Sequence, residues 1–414
     1  MLRSVETTTH SRVAYPILVI SLAACFLFYK YVLQIFPSII TDQLMQQFHL
    51  TGAKLGNLAA TFYYSYMITQ LFVGVLLDKY STSRFTSGAI LCCALGIFLF
   101  SQAETVLMAS LARACMGVGV AFATIAYMKL AADWFPPRQY AFVSGLLATA
   151  AMSGAVFGQA PLAWLISHFG WRPCLAGVGF VGMGLALLFF LFVRDAPKIK
   201  QKEKASSSLG QDLLLLLKNK QNWLLTVYSG LAFSPVAIFG GLWGNPFLEQ
   251  AYQLSKTQAA SLVSLVFIGL GLGGPLLGLL SDRIKNRRHL MLCCTLLSAI
   301  AISMVLYCQL SLGLLSVFLF LFGFGLGSFM LVFAIGKEIN SLSLTATVAA
   351  LINTSDAIFD AITEPFIGKI LDINWDGTLV NEVHQFSLQS YQSALSILPL
   401  YLVGGAILLI WLKD

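Results

Sequence analysis

Residues 74–84 read GVLLDKYSTSR and residues 278–288 read GLLSDRIKNRR. In each, a glycine (Gly74, Gly278) precedes an aspartate by four residues (Asp78, Asp282). Cations follow: Lys79 and Arg84 in the first copy, Arg283, Lys285, Arg287 and Arg288 in the second. Both copies close the second of a series of long apolar runs, and 204 residues separate them. The same polar hinge at the same point of two successive series marks the chain as a duplication of one structural half.

The surrounding composition says what kind of half. Of 414 residues, 58% are hydrophobic and 10% charged, with a mean hydropathy of +0.81. A water-soluble domain carries about 25% charged residues, so this chain cannot cover itself with a soluble surface and belongs in a bilayer. Backbone groups in lipid must be satisfied within a helix or a closed barrel. The apolar runs here far exceed the alternating strands of about ten residues that build a barrel.

A helix needs about 20 apolar residues to cross. Twelve segments qualify, at about 14–36, 52–77, 85–103, 105–131, 139–165, 172–193, 221–243, 257–281, 289–309, 311–338, 344–371 and 389–412. The expected fold is therefore an all-α membrane protein of twelve transmembrane helices in two pseudo-symmetric six-helix bundles. Residues 1–193 form the first, 194–220 a linker and 221–414 the second.

The net charge of +7 is no nucleic-acid footprint, because the cations gather in short breaks between apolar runs. The loops at 78–84, 194–220 and 282–288 hold most of them, whereas the opposite loops hold little beyond Lys54, Arg172 and Lys256. By the positive-inside rule, both termini are cytoplasmic. The linker opens as RDAPKIKQKEKASSS, a flexible charged stretch suited to anionic headgroups, and its end, QDLLLLLKNK, could form a short surface helix. The eight cysteines, Cys25, Cys92, Cys93, Cys115, Cys174, Cys293, Cys294 and Cys308, show no CxxC spacing and read as small buried hydrophobes. Leu22-Ala23-Ala24-Cys25 resembles a lipoprotein cleavage box, yet the apolar run continues to Phe36, so a retained helix is expected.

The hinge motif resembles the hallmark of the major facilitator superfamily, G-x-L-x-D-R-x-G-R-R between helices two and three. The first copy has Ser81 where the family has glycine. Further residues follow in family order. Arg113-Ala-Cys-Met-Gly117-Val-Gly119 resembles R-x-x-x-G-x-G, and Trp134 to Arg138 and Phe169 to Arg172 resemble its later connections. Gly145, Gly154 and Gly158 keep the glycine spacing of its antiporter motif, with Gln159 where proline is expected. The resemblance implies a bacterial inner-membrane secondary transporter that alternates access. It makes Gly74, Asp78, Arg84, Gly278, Asp282 and Arg283 a cytoplasmic gate, in which each aspartate caps a partner helix and pairs with a nearby arginine; Glu338, at the inner end of its segment, reads as part of the same gate. It also makes Arg113 a candidate for substrate or proton coupling. The glycines, including the run GLGLGG at 269–274, serve close helix approach.

Residues ionisable at membrane depth are functional candidates, since each costs at least about 2.5–3.5 kcal/mol there. The first is Lys30, flanked by Tyr29 and Tyr31 and followed by Gln34. The second is Arg113. A third set is Tyr63, Tyr64, Tyr66 and Gln70 in the second segment. The fourth lies in SDAIFDAITEP, residues 355–365. Steps of four residues advance by only about 40° around a helix, so Asn353, Asp356, Asp360 and Glu364 form one polar stripe about 12 Å long. Glu364 alone could sit at a solvated outer mouth, and Lys337-Glu338 reads as an interfacial pair or gate.

The deep cations fall in the first half and the deep acids in the second. A site between the halves would suit a small zwitterionic or carboxylate-bearing solute, moved by proton-coupled symport. The alternative is an efflux antiporter for drugs, metabolites or a carboxylate siderophore. No Walker motif, catalytic constellation or metal-ligand spacing occurs, so neither enzyme activity nor a cofactor is expected. The proton gradient is the expected energy source, and the expected partners are the solute and the bilayer, with the chain a monomer and no nucleic acid bound.

Overall fold

The computed structural model describes residues 6–195, 218–340, 345–380 and 383–412. The basic stretch at 196–217, with most of the expected surface helix, lies outside these residues.

The described chain is almost wholly helical. In the first half the helices are α1 (Glu6–Ile35), α2 (Thr41–Phe48), α3 (Gly52–Lys79), α4 (Thr82–Ser101), α5 (Val106–Trp134), α6 (Pro137–Phe157), α7 (Ala160–Phe169) and α8 (Trp171–Phe192). The second half holds α9 (Lys220–Ile238), α10 (Gly244–Tyr252), α11 (Lys256–Ile284), α12 (Arg287–Tyr307), α13 (Leu312–Leu326) and α14 (Leu331–Glu338). After these come α15 (Thr345–Ile373), α16 (Leu388–Leu395) and α17 (Ile397–Trp411), with a two-stranded ribbon, β1 (Leu379–Val380) and β2 (Val383–His384), ahead of α16.

Short polar residues start many of the long helices by accepting a hydrogen bond from the backbone in the first turn: Thr51, Ser81, Thr105, Ser255, Asn286 and Ser311. Ser255 and Gln258 complete a capping box. Helix α1 runs without a break through Leu22 to Cys25, as the apolar run required.

Eleven spans among the described residues are long and apolar enough to cross a membrane. Helix α15, at 29 residues, is long enough to cross, but its acidic stripe keeps it out of that set on composition. It packs along α3 and α9, in the place of a twelfth span.

In the first bundle α4 packs on α5 and α8, and α1 on α6. In the second, α11 packs on α13, and α12 and α9 on α17. The bundles meet along two seams, α3 with α15 and α6–α7 with α11.

The first span of each bundle is broken. In the first bundle α1 gives way to a 3₁₀ turn at Phe36–Ile39; in the second α9 gives way to a wide π turn at Phe239–Trp243, following Pro235. The two breaks stand at nearly the offset that separates Gly74 from Gly278, and they touch each other. Interrupted helices of this kind expose backbone polar groups inside a membrane protein, where a partner can use them.

Glycines set how closely the helices come. A side chain at Gly154 would run into the backbone of Phe28, and one at Gly269 or Gly273 into that of Phe320 or Phe324. Gly52 and Gly56 on α3 face Gly368 and the Glu364–Pro365 backbone of α15. The cysteines depart from expectation. Cys93 and Cys294 are buried, but Cys25, Cys293 and Cys308 are exposed on the outer surface, where lipid rather than protein would cover them.

Gly154→Leu is expected to lower the thermal unfolding midpoint of the detergent-purified protein by forcing α6 off α1, an overpacking penalty of about 1–3 kcal/mol. Gly145→Leu, at an exposed position where an added Cβ meets nothing within 4 Å, is expected to leave the midpoint unchanged.

Candidate functional site

Four spans converge on the seam between α3 and α15. Helix α1 supplies Lys30 and Gln34, α3 supplies Tyr63, Tyr66 and Gln70, α5 supplies Arg113, and α15 supplies the acidic stripe. All are buried except Tyr66 and Asn353, which are half-buried. The stripe geometry follows from the four-residue spacing, and α15 packs between α3 of the first bundle and α9 of its own.

Arg113 is held firmly. Its two terminal nitrogens donate to the carbonyls of Leu33 on α1 (2.8 Å) and Ala59 on α3 (3.1 Å). The guanidinium also lies over the rings of Phe36 and Phe62, at 5.3 and 4.7 Å. Lys30 is held differently. Its ammonium stands 5.2 and 5.1 Å from the ring centres of Tyr31 and Tyr66, and among the described residues it makes no hydrogen bond or ion pair.

The countercharges stand across the seam. Asp356 acts on Lys30, and Glu364 acts on Arg113. Neither couple closes to a direct ion pair within 4 Å among the described residues. Ser229 on α9 donates to Asp356 at 2.7 Å. One oxygen each of Asp360 and Glu364, the Nε of Arg113 and both amide atoms of Gln70 are buried without a partner. Unmatched buried polar atoms are rare and costly, about 1–3 kcal/mol each. Their gathering along one seam marks it as a place that expects a ligand, a proton or water.

Gln34 donates to the Tyr63 hydroxyl at 3.2 Å. Beside it lies a cavity of about 10 Å³ lined by Tyr31, Gln34, Met152, Phe233, Phe267 and Leu270. That is room for about one water.

Two expectations need correction. Tyr64 is 37% exposed and donates to Asn57 two turns back on its own helix, because residues 63 and 64 differ by about 100° in direction. Glu364 is 2% exposed, so it is no mouth residue. Asn353 is half-buried one turn before Asp356.

The hinge residues also differ from expectation. Asp282 does pair with a nearby arginine, Arg287 at 3.5 Å, while Arg283 is exposed. Asp282 caps no helix; Ser81 and Asn286 cap the helices after each hinge. Glu338 pairs with Arg287 at 2.8 Å and not with its neighbour Lys337. Arg84 is exposed, Gly74 and Gly278 have open space around them, and the side chain of Asp78 is not among those described.

The tight closure lies at the opposite end, remote from these hinges. Gln159, in the break between α6 and α7, donates to Ser38 (3.2 Å) and to the Gly240 carbonyl (2.6 Å). Asn245 donates to Gln159 (2.8 Å) and Ser38 (3.1 Å). All three side chains are fully buried, and they clasp the two broken first spans together.

Asp372 completes the closure. One of its oxygens accepts from the Gly52 backbone N–H at 2.7 Å and the other from that of Ala53 at 2.8 Å, so a carboxylate of the second bundle caps the N-terminus of α3 in the first. His384, stacked on Trp375 at 3.7 Å, approaches Asp372 at 3.9 Å. At the rim Lys256 pairs with Asp42 at 2.9 Å and donates to Gln43, also at 2.9 Å. A cavity of about 220 Å³ remains on this face, between Thr41, Asp42 and Leu55 of one bundle and Trp243, Glu249 and His384 of the other.

Sequence reasoning named none of these closing residues as such. Asp372 had a signal, since it continues the steps of four from Asp356 through Gly368. Gln159 had one in its departure from the motif proline.

The chain belongs to the Major Facilitator Superfamily, whose family model matches residues 18–244 and 230–336. It is 31% identical over 171 residues to the hexuronate transporter of Bacillus subtilis (strain 168), covering 38% of this chain and 39% of that protein. It is 25% identical over 207 residues to the probable galactarate/D-glucarate transporter of the same strain, covering 45% and 46%. With the nitrate/nitrite transporter of a Picosynechococcus strain it shares 26% over 220 residues, 46% and 40% of the two lengths. The chain thus spans less than half the length of these curated relatives.

Among solved structures, it resembles a bacterial homologue of the human lysosomal transporter Spinster in an inward-facing, occupied conformation. The TM-score is 0.79, with 16% identity over 96% of each chain. A mutant of the nucleoside transporter NupG gives 0.75, with 15% identity over 96% of this chain and 100% of that one. At such identities the likeness is one of fold.

Asp372→Ala is expected to leave two backbone donors at the start of α3 without a cap, a loss of about 0.5–2 kcal/mol. Hydrogen exchange should then accelerate at residues 52–56 and 364–372. Asp372→Asn, which keeps one acceptor oxygen, should give a smaller effect at the same amides.

Proposed function

We propose that the protein is a secondary active transporter of a small carboxylate-bearing or zwitterionic solute, moved together with a proton by alternating access to the α3–α15 seam. One observation carries this reading: buried cations of the first bundle oppose buried acids of the second without pairing directly. A permanent structural seam would close those pairs, because an uncompensated charge at membrane depth is costly. A seam that must open, admit a charged solute and close again keeps them apart.

Each charge then has a task. The cationic wall attracts the solute's anionic end. Each carboxylate of the stripe is a proton carrier whose occupancy can follow the face to which the seam is open. In that scheme the proton enters from the acidic side, offsets a negative charge that the solute brings, and leaves with it. The relatives are named for hexuronate, galactarate/D-glucarate and nitrate/nitrite, which are anions. That agrees with a cationic wall and favours a sugar acid or similar solute over an apolar drug.

We further propose that the hinge face is cytoplasmic, since the basic loops gather there. The clasp and the Asp372 cap then seal the outer face, and the described conformation is inward-facing, the state in which the Spinster homologue was captured. No cofactor enters this mechanism; the gradient drives it.

Proteoliposomes with an imposed proton gradient test the reading. Uptake of D-glucuronate, D-glucarate or L-alanine should rise as the outer pH falls. Asp360→Asn and Glu364→Gln should flatten that dependence while leaving counterflow of the same solute. If Asp356→Asn, Asp360→Asn and Glu364→Gln all leave pH-dependent uptake unchanged, the acidic stripe does not couple the proton.

A further inference from the structure

The seam holds two buried cations, and their surroundings differ in kind. Resting on the transport reading above, we infer that Lys30 alone receives the anionic end of the solute, and that Arg113 is a positioning residue that staples three helices and fixes the environment of Glu364.

The assignment follows from what each cation already holds. Both terminal nitrogens of Arg113 are committed to carbonyls on two other helices, and Phe36 and Phe62 cover its guanidinium. Ala59 lies inside α3, and Leu33 in the last turn of α1. Leu33 lies four residues before Pro37, whose ring nitrogen cannot return the usual helical hydrogen bond, so its carbonyl would otherwise lack a donor. Arg113 therefore answers a need created by the break in α1. Turning toward a solute would strip a buried carbonyl of its donor and undo a contact between α1, α3 and α5. A planar fork fixed in this way is pre-organised for structure, and the side left to it is the Nε edge.

Lys30 commits nothing. Its ammonium has three donors and no acceptor among the described residues, and it is surrounded by tyrosine rings. Aromatic faces stabilise a cation without occupying its N–H groups, so the charge is tolerated at depth while its donors stay available. Polar groups line the same path. Gln34 stands one turn further along α1, and Gln70 stands one turn beyond Tyr66 on α3 with both amide atoms unpartnered. Across the seam Asp356 is held by Ser229. An anion on Lys30 would therefore meet amide groups for its hydroxyls and, at its far end, a carboxylate able to accept a hydroxyl or ammonium hydrogen.

The grouping also divides the acids. Asp356 faces the free cation and belongs with the solute. Glu364 faces the fixed one, on a stretch of α15 in backbone contact with Gly56, and one of its oxygens is unpartnered. Fixed surroundings suit a group whose task is to exchange a proton rather than to follow a ligand.

Two measurements test the assignment. The first needs no solute: thermal unfolding of purified wild type, Lys30→Met, Arg113→Met and Arg113→Lys. Lys30→Met should keep or raise the midpoint, because a buried ammonium without a hydrogen-bond partner is removed. Arg113→Met should lower it or fail to fold, and Arg113→Lys, which can serve one carbonyl, should fall between. A midpoint for Lys30→Met below that of Arg113→Lys would overturn the division. The second measures stabilisation by D-glucuronate, D-glucarate and L-alanine against uncharged D-glucose. Lys30→Met should weaken the apparent affinity of a stabilising acid at least tenfold, and Arg113→Lys by less than threefold. A loss on Arg113→Lys with the midpoint preserved would overturn it as well. Should no acid stabilise wild type, the transport reading loses its solute class, while the unfolding series still decides which cation is structural.

Discussion

A charge inside a bilayer has to be answered by another group, and this chain puts nearly all of its deep charges on one surface, the seam between two bundles. That constraint organises the fold. Helix α15 is too polar to face lipid along its acidic stripe, so it must lie against α3. Helix α3 can accept it at close range because Gly52 and Gly56 let the two backbones touch. Arg113 then ties α5 to α1 and α3 behind this contact, at the level where α1 breaks. Removing the stripe would take away the reason for α15 to choose a protein neighbour over lipid on that face.

The duplication shows how the charged seam arose on a symmetric frame. At the offset of the hinge motif, Pro161 matches Pro365, and the break in α1 matches the break after α9. The same offset sets Asp356, Asp360 and Glu364 against Met152, Val156 and Ala160, and Lys30 against Ser234. The scaffold is thus shared while the charges are not. One half of the repeat kept an apolar face and gained a cation, and the other gained the acids. Symmetry supplies a rocking pair of bundles; its loss at the seam supplies chemistry.

Much of this could be read from residue order, and the limits have physical causes. Hydropathy and spacing locate helices because both depend on local periodicity. They also locate the stripe, since steps of four fix a direction around one helix. Direction is not partnership. Asp282 takes Arg287 over its sequence neighbour Arg283 because the turn after α11, with Lys285 in a left-handed conformation, redirects the chain between them. Tyr64 reads as equivalent to Tyr63, yet one residue step leaves it partly exposed where Tyr63 is buried. Three cysteines in apolar runs face outward, because in a bilayer an apolar side chain has no need of the protein interior. The buried clasp of Ser38, Gln159 and Asn245 joins residues up to 207 positions apart, and no local pattern in a single sequence announces a contact of that kind.

The strength of the closed face bears on how such a seam can move. The Lys256–Asp42 pair is partly exposed, and pairs of that kind contribute about 0–1 kcal/mol. The Asp372 cap belongs to interactions worth about 0.5–2 kcal/mol, and the neutral clasp adds hydrogen bonds of about 0.5–1.5 kcal/mol each, much of which water can replace once the face opens. Closure by these groups therefore amounts to a few kcal/mol. A solute bound with millimolar affinity contributes about 4 kcal/mol, enough to tilt a balance of that size if it prefers one state. Glycine contacts fix how near the bundles come, weak polar contacts decide which end is shut, and the unmatched charges on the seam keep the shut state from becoming permanent.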